Sequence, residues 1–239
     1  MSLSPGGNHL LAALAPEEMK RLRDHLELVP LARRATLYES GSRFQYAYFP
    51  TSGIVSLMHV MPDGSAIEVG IVGNEGFIGA CALLSGGAEP LRAIVHTAGY
   101  AYRLKAAYVQ AEFRRHARLH RVVLRYASTL VSQLAQTAAC NRRHSLDQQL
   151  CRWLLTSLDR MSSNEVASTQ ETIASMLGVR REGVTEAASS LQKAGLIRYT
   201  RGRIAVLSRA KLEARACECY KMLRGETDRL VRDVYAAKA

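Results

Sequence analysis

Arg180, Arg181, Glu182, Thr185 and Glu186 fall within one short stretch of the chain. Their types suit the reading of base edges. An arginine guanidinium can donate twice to guanine, and a glutamate can accept from cytosine N4. Lys193, Arg198, Arg201 and Arg203 follow closely and are cations suited to phosphate oxygens. Over residues 180–203 six basic side chains oppose Glu182 and Glu186, a net charge of +4.

The surrounding residues predict the elements that would hold these groups. Thr169 is a fitting N-cap, because its hydroxyl can accept from a free first-turn N–H. Ile173, Met176 and Leu177 give a short helix one apolar stripe. Gly178 stands where the chain must turn sharply, which often needs a positive φ. A second helix is expected over 180–193, with Val184, Ala187, Ala188 and Leu191 inward and the base-reading groups outward or at its leading end. Gly195 ends it, and two short strands, 196–200 and 203–207, flank Arg201–Gly202. This is the plan of a winged helix-turn-helix whose second helix is free to enter a DNA major groove.

The chain as a whole is compatible with that plan. It has 239 residues, 48% of them hydrophobic and 22% charged, and a net charge of +11, which favours a polyanionic partner. It contains no run of 18 apolar residues, so no membrane partner is expected. Pro16, Glu17, Glu18 and Lys20 interrupt any signal-peptide core, and a cytoplasmic location is expected. Cys81, Cys140, Cys151, Cys217 and Cys219 show neither a C-x-x-C nor a paired framework, and read as buried or idle thiols. With no P-loop, H-E-x-x-H, G-x-S-x-G or metal-spaced His/Cys set, neither an enzyme nor a metal site is expected.

Taken in order, residues 8–28 form an amphipathic helical segment in which Pro16 opens the main helix. From about 28 to 104, short runs of β-formers alternate with turn residues, Asp63–Gly64 being a strong hairpin signal. That spacing reads as a β-sandwich or barrel, most simply a jelly roll. Helices are expected over 106–116 and 117–143. In the longer one Leu119, Val123, Tyr126, Leu130, Leu134 (or Gln133) and Thr137 recur at steps of three and four, followed by Cys140, and read as a dimer seam. A second flank, Val122, Val131, Ala135 and Ala138, is expected to lie on the helix's own barrel. A helix over 146–161 opens the last domain, and a final helix spans 209–235. The expected fold is therefore α+β, with a sensor barrel over 1–116, a dimerisation helix over 117–145 and a DNA-binding domain over 146–239.

This order of parts resembles the Crp/Fnr family of bacterial transcription regulators, notably in the runs DGSAIEVGIVGNEGFIGA (63–80) and IASMLGVRREGV (173–184). It looks especially like an alphaproteobacterial-type subgroup of undefined ligand. The resemblance places the family's base-contacting arginine on Arg181 and its glutamate on Glu182. Glu186 stands where the best-known members have a base-reading arginine, so a different half-site is expected. Thr185 adds a contact, and Thr169 and Gln170 match phosphate-contacting positions. The resemblance implies a homodimer on an inverted repeat in double-stranded DNA, working with RNA polymerase.

The family's cyclic-AMP site transfers poorly. Gly79–Ala80 lacks the carboxylate that takes the ribose hydroxyl. Arg92 remains for a phosphate, but Ala93 replaces the following serine, and Leu134 and Ala135 replace a hydroxyl pair on the dimer helix. Cyclic AMP is therefore not the expected ligand. The first 80 residues contain no cysteine, so no iron–sulfur cluster is expected. His59, His96 and Cys81 are the groups a haem would need, and each reads as structural or exposed. Two other readings remain at this stage. One is a redox-responsive regulator using Cys140 across the dimer seam or another thiol. The other is a ligand-binding module without a DNA role.

Overall fold

The structure, a computed structural model, describes residues 4–236. Residues 1–3 and 237–239, the ends of the first and last expected segments, lie outside the described ones. Helices α1 (His9–Ala12) and α2 (Pro16–Arg23) precede the barrel. Its strands are β1 (Glu27–Leu31), β2 (Thr36–Tyr38), β3 (Ser42–Arg43), β4 (Tyr46–Pro50), β5 (Ile54–Val60), β6 (Ala66–Val72), β7 (Ala88–Glu89), β8 (Arg92–Thr97) and β9 (Gly99–Lys105). They form antiparallel sheets in the orders β2-β8-β5-β6, β1-β9-β4 and β3-β7, which make the expected jelly-roll barrel. The β5–β6 hairpin turns at Asp63–Gly64. Asp63 Oδ1 accepts there from the Ser65 N–H at 2.9 Å and from its hydroxyl at 2.7 Å. A helix not expected from the strand pattern, α3 (Ala80–Ser85), interrupts the barrel after Gly79.

Helix α4 (Ala106–Phe113) leads to the long α5 (Arg118–Arg143). Glu18 joins the N-terminal segment to this helix. One of its oxygens accepts from the Ala15 N–H at 3.0 Å, the other from the Leu119 N–H at 2.9 Å. The aromatic chain Phe49–Phe77–Tyr126, with ring centroids 5.2 and 5.4 Å apart, fixes α5 on the barrel. Gly76 permits that contact, since a Cβ there would lie 2.4 Å from Tyr126 Cε2.

The seam expected along α5 is corrected by this packing. Leu119, Val123, Tyr126 and Leu130 are buried in the chain's own core, Leu134 packs against it, and Thr137 is buried. Of the flank assigned to the barrel, only Val122 is buried, whereas Val131 is 65% exposed and Ala135 and Ala138 are exposed. Val131, Ala135 and Ala138 recur at steps of three and four as the seam residues do, so spacing alone does not separate the two faces. The stripe with the larger side chains removes more apolar area from water and takes the barrel. The stripe left open is Leu124, Ser128, Val131, Ala135 and Ala138.

The last domain comprises α6 (Leu146–Leu158), β10 (Glu165–Ala167), α7 (Gln170–Leu177), α8 (Arg181–Lys193), β11 (Ile197–Thr200) and β12 (Arg203–Val206). Its sheet has the order β10-β12-β11, so the expected two-stranded hairpin gains a third strand, β10, from residues to which the sequence assigns no element. Leu150, Leu154, Ile173, Val184, Leu191 and Ile204 are among its core residues. The expected final helix is two helices, α9 (Arg209–Arg215) and α10 (Glu218–Ala236), broken at Ala216–Cys217. Helix α10 runs back along α5, and Leu230 and Val234 join the barrel core. The last helix therefore does not belong to the DNA-binding domain alone.

Polar contacts also join this domain to the barrel. Trp153 Nε1–H donates to Glu68 Oε1 at 3.0 Å, and Arg160 Nε donates to Glu75 Oε1 at 2.7 Å. Trp153 lies in the domain's core, but its N–H crosses the junction.

Candidate nucleic-acid interface and effector site

Thr169 caps α7, its hydroxyl accepting from the Thr172 N–H at 3.1 Å. Gly178 closes that helix with φ 66°, the left-handed turn that lets α8 leave at an angle. Val184, Ala187, Ala188 and Leu191 bury one face of α8. Arg181, Glu182, Thr185 and Glu186 consequently stand exposed on the other. Arg180 is the N-cap of α8, one residue before the helix, and is exposed as well. Thr185 Oγ1 donates to Gln170 Oε1 at 3.0 Å, linking the start of α7 to the reading face.

The wing turns through Arg201 and Gly202 with φ 49° and 74°. Positive φ at both central residues is the geometry of a type I′ hairpin turn. It leaves Arg201 exposed at the tip. Arg198, Lys193 and Arg203 are exposed nearby, Arg203 at 3.8 Å from Glu165. Between α7, α8 and the wing lies a groove of about 560 Å³, lined by Thr169, Gln170, Arg181, Gln192, Tyr199 and Arg201 among others. Tyr199 is anchored in it, its hydroxyl donating to Ser168 O at 2.9 Å. Burial pushes the Tyr199 phenol up, and the charge of Arg181 acts against that shift. The expected phosphate-binding residues Thr169, Gln170 and Arg201 thus meet the base-reading Arg181 along one groove. Arg180, Lys193 and Arg203 do not line it.

The expected effector residues lie on several elements of the barrel and on α5. Ala93 is fully buried on β8, Gly79 caps α3 against the Phe44 ring, and Ala80 is buried in the first turn of α3. Arg92 Nε donates to Glu39 Oε2 at 2.6 Å, so its guanidinium already holds a carboxylate. Leu134 approaches β6 at Gly70. A separate cavity of about 530 Å³, which the sequence did not suggest, opens where the barrel, α6 and α10 meet. His9, Asn74, Glu75, Arg160 and Arg224 are among its lining residues.

The cysteine reading also changes. Cys140 is fully buried within one chain and faces Cys217 of that chain at 3.6 Å, not a free seam. His144 and Cys219 lie beside them. The break between α9 and α10 brings Cys217 and Cys219 together, which continuous helical spacing would not do. Among the described residues, these four have ligand atoms close enough to share an ion. Cys81 and Cys151 lie elsewhere, and burial raises both thiols, to about 11 and about 12.

A jelly-roll sensor domain, a long helix and an exposed winged helix-turn-helix define a DNA-binding transcription regulator. Residues 28–116 match the cyclic nucleotide-binding domain, and residues 148–215 match the Crp-like helix-turn-helix domain. The chain belongs to the Crp/Fnr family of transcription regulators. No curated protein sequence matches it. Among solved structures it is similar to FixK2 from Bradyrhizobium japonicum, with a TM-score of 0.69 at 16% identity, covering 80% of this chain and 98% of that one. The c-di-GMP-responsive global regulator CLP of Xanthomonas campestris matches with a TM-score of 0.66 at 16% identity, over 81% of this chain and 100% of that one. A CRP-family transcriptional regulator from Thermus thermophilus matches with a TM-score of 0.65 at 26% identity, over 79% of this chain and 96% of that one. No helix among the described residues is long and apolar enough to cross a membrane.

Proposed function

We propose that the protein acts in the cytoplasm as a homodimer that reads an inverted repeat in double-stranded DNA, each subunit placing α8 in a major groove. The observation that carries this reading is the row Arg181, Glu182, Thr185 and Glu186, exposed along α8 beside a wing tipped by Arg201. Arg181 and Glu182 set the most strongly read pair, while Thr169, Gln170, Lys193, Arg201 and Arg203 hold the backbone. The open stripe Leu124–Ser128–Val131–Ala135–Ala138 on α5 is the surface offered to the second subunit. A two-fold dimer on B-DNA requires half-site centres about 10–10.5 bp, roughly 34 Å, apart. RNA polymerase is the further partner this role implies.

Effector control resides in the barrel but not in a standard cyclic-AMP site. Ala80 offers no carboxylate to a ribose, and Arg92 is paired with Glu39. Selection from a random duplex pool, by purified protein without added ligand at a fixed salt concentration, tests the reading. An inverted repeat with a G·C pair at matched positions of each half-site is expected. Salt-sensitive binding without sequence preference, unchanged by added cell extract, would overturn it.

A further inference from the structure

The C-terminal end of α5 and the break between α9 and α10 meet at a cluster that DNA reading does not use. Cys140 lies in the last turn of α5, and His144 is the C-cap of that helix, its N–H donating to Cys140 O at 3.1 Å. Cys217 immediately precedes α10 and Cys219 lies in its first turn. The three sulfurs and a ring nitrogen of His144 all lie within 4.8 Å of one another.

Two of the six separations match those around a tetrahedral ion. Zn–S bonds of about 2.3 Å and Zn–N bonds of about 2.0–2.1 Å, at tetrahedral angles, put two ligated sulfurs about 3.8 Å apart and a sulfur about 3.5 Å from a ligated nitrogen. Here Cys140 Sγ and Cys217 Sγ are 3.6 Å apart, and Cys219 Sγ is 3.5 Å from His144 Nδ1. A disulfide would need sulfurs about 2.05 Å apart, and the observed separation is far longer.

The outer contacts agree. His144 Nε2, the nitrogen turned away from the sulfurs, lies 3.2 Å from Glu218 Oε1, the carboxylate–histidine arrangement that orients a metal-binding ring. Gln136 Nε2 donates to Cys219 Sγ at 2.9 Å. Three thiolates, a neutral imidazole and a divalent cation carry a net charge of −1. The N-terminus of the 19-residue α10 and the buried Arg152, whose Nε has no hydrogen-bond partner among the described residues, supply opposing positive charge.

We propose that Cys140, His144, Cys217 and Cys219 form a Cys₃His site for a zinc ion. Three thiolates select a soft or borderline cation, and four protein ligands close its coordination, which is the form of a structural site and not a catalytic one. Binding deprotonates the three thiols and releases their protons to solvent. Ser145, the N-cap of α6, directly follows His144. The ion therefore ties α5 to α10 at the point where the chain enters the DNA-binding domain.

The full-length protein, purified under reducing conditions, is assayed for bound metal, stripped with a chelator and titrated with Co²⁺ and Zn²⁺. One zinc per chain is expected, with Co²⁺ giving the intense visible bands of a tetrahedral site and thiolate-to-metal charge transfer. Cys219→Ser should abolish the three-thiolate spectrum, and Cys81→Ser should leave it unchanged. Glu218→Gln keeps all four ligands and should weaken zinc binding on the order of tenfold. Weak octahedral Co²⁺ bands without charge transfer in the wild-type chain, no stoichiometric zinc uptake, or a Cys140–Cys217 disulfide in the reduced preparation would each overturn the assignment.

Discussion

Glu68 gives the junction between barrel and DNA-binding domain a defined pH dependence. Its carboxyl is buried and accepts from the Ser56 hydroxyl at 2.5 Å and from Trp153 Nε1–H at 3.0 Å. Burial raises it from an ordinary value of 4.5 to about 7, against the pull of those two hydrogen bonds and of Arg152 and Arg160. His96, edge-on to Trp153, is held down to about 4 by its own burial and so stays neutral through this range. The folded state holds the Glu68 proton more tightly than the unfolded chain. Its contribution is thus most favourable at low pH and is lost as pH rises from about 4.5 through about 7. Glu68→Gln keeps an oxygen for Trp153 and removes the ionisation. The variant should be more stable than the wild type by about 1 kcal/mol at pH 5 and about 3 kcal/mol at pH 8. For a chain of this size, those differences correspond to roughly 2–4 °C and 6–12 °C in melting temperature. Scanning calorimetry of both proteins at the two pH values reads the gap directly, and unrelated titrations cancel in the difference. A gap equal at both pH values, or a variant less stable than wild type at pH 8, would refute the reasoning.

Other perturbations address the remaining parts of the molecule. Arg181→Ala should cost about 1–3 kcal/mol in specific DNA binding and relax the selected sequence. Arg201→Ala should weaken all duplexes about equally and shallow the salt dependence, both effects read by titration at several salt concentrations. Val131→Glu places like charges on the open stripe of α5 and should shift sedimentation at micromolar protein from dimer to monomer. Gly76→Ala drives a methyl into the Tyr126 ring and should lower stability by about 1–3 kcal/mol, measured by denaturant unfolding. Millimolar cyclic AMP should leave the melting temperature unmoved. A micromolar site would instead stabilise the protein by about 4 kcal/mol at that concentration.

The parts legible in the sequence are those specified by local rules. Thr169 as a cap, Gly178 as a left-handed turn, the buried face of α8 and the Asp63–Gly64 hairpin each depend on a few neighbouring residues, and each lies where spacing placed it. The exposed reading face follows from the same periodicity, because burying Val184, Ala187, Ala188 and Leu191 turns Arg181, Glu182, Thr185 and Glu186 outward. Gly79–Ala80 opening α3 was not legible, because a six-residue helix offers little periodicity beside strands punctuated by glycine. Strand β10 was equally hidden, since three residues gain strand character only by pairing with β12.

Tertiary structure decided what depended on competition between distant surfaces. Two stripes on α5 had the spacing of a seam, and only the barrel's demand for large apolar side chains assigned Leu119, Val123, Tyr126 and Leu130 inward and left Val131 outside. Cys140 and Cys217 are 77 positions apart, and no periodicity links them. They meet because α10 folds back along α5 after the chain breaks at Ala216–Cys217. Local sequence determines which face of an element is apolar, through steric and hydrogen-bonding preferences over a few residues. Which apolar face finds which partner depends on the area each pairing removes from water, a quantity that exists only once the whole chain is packed.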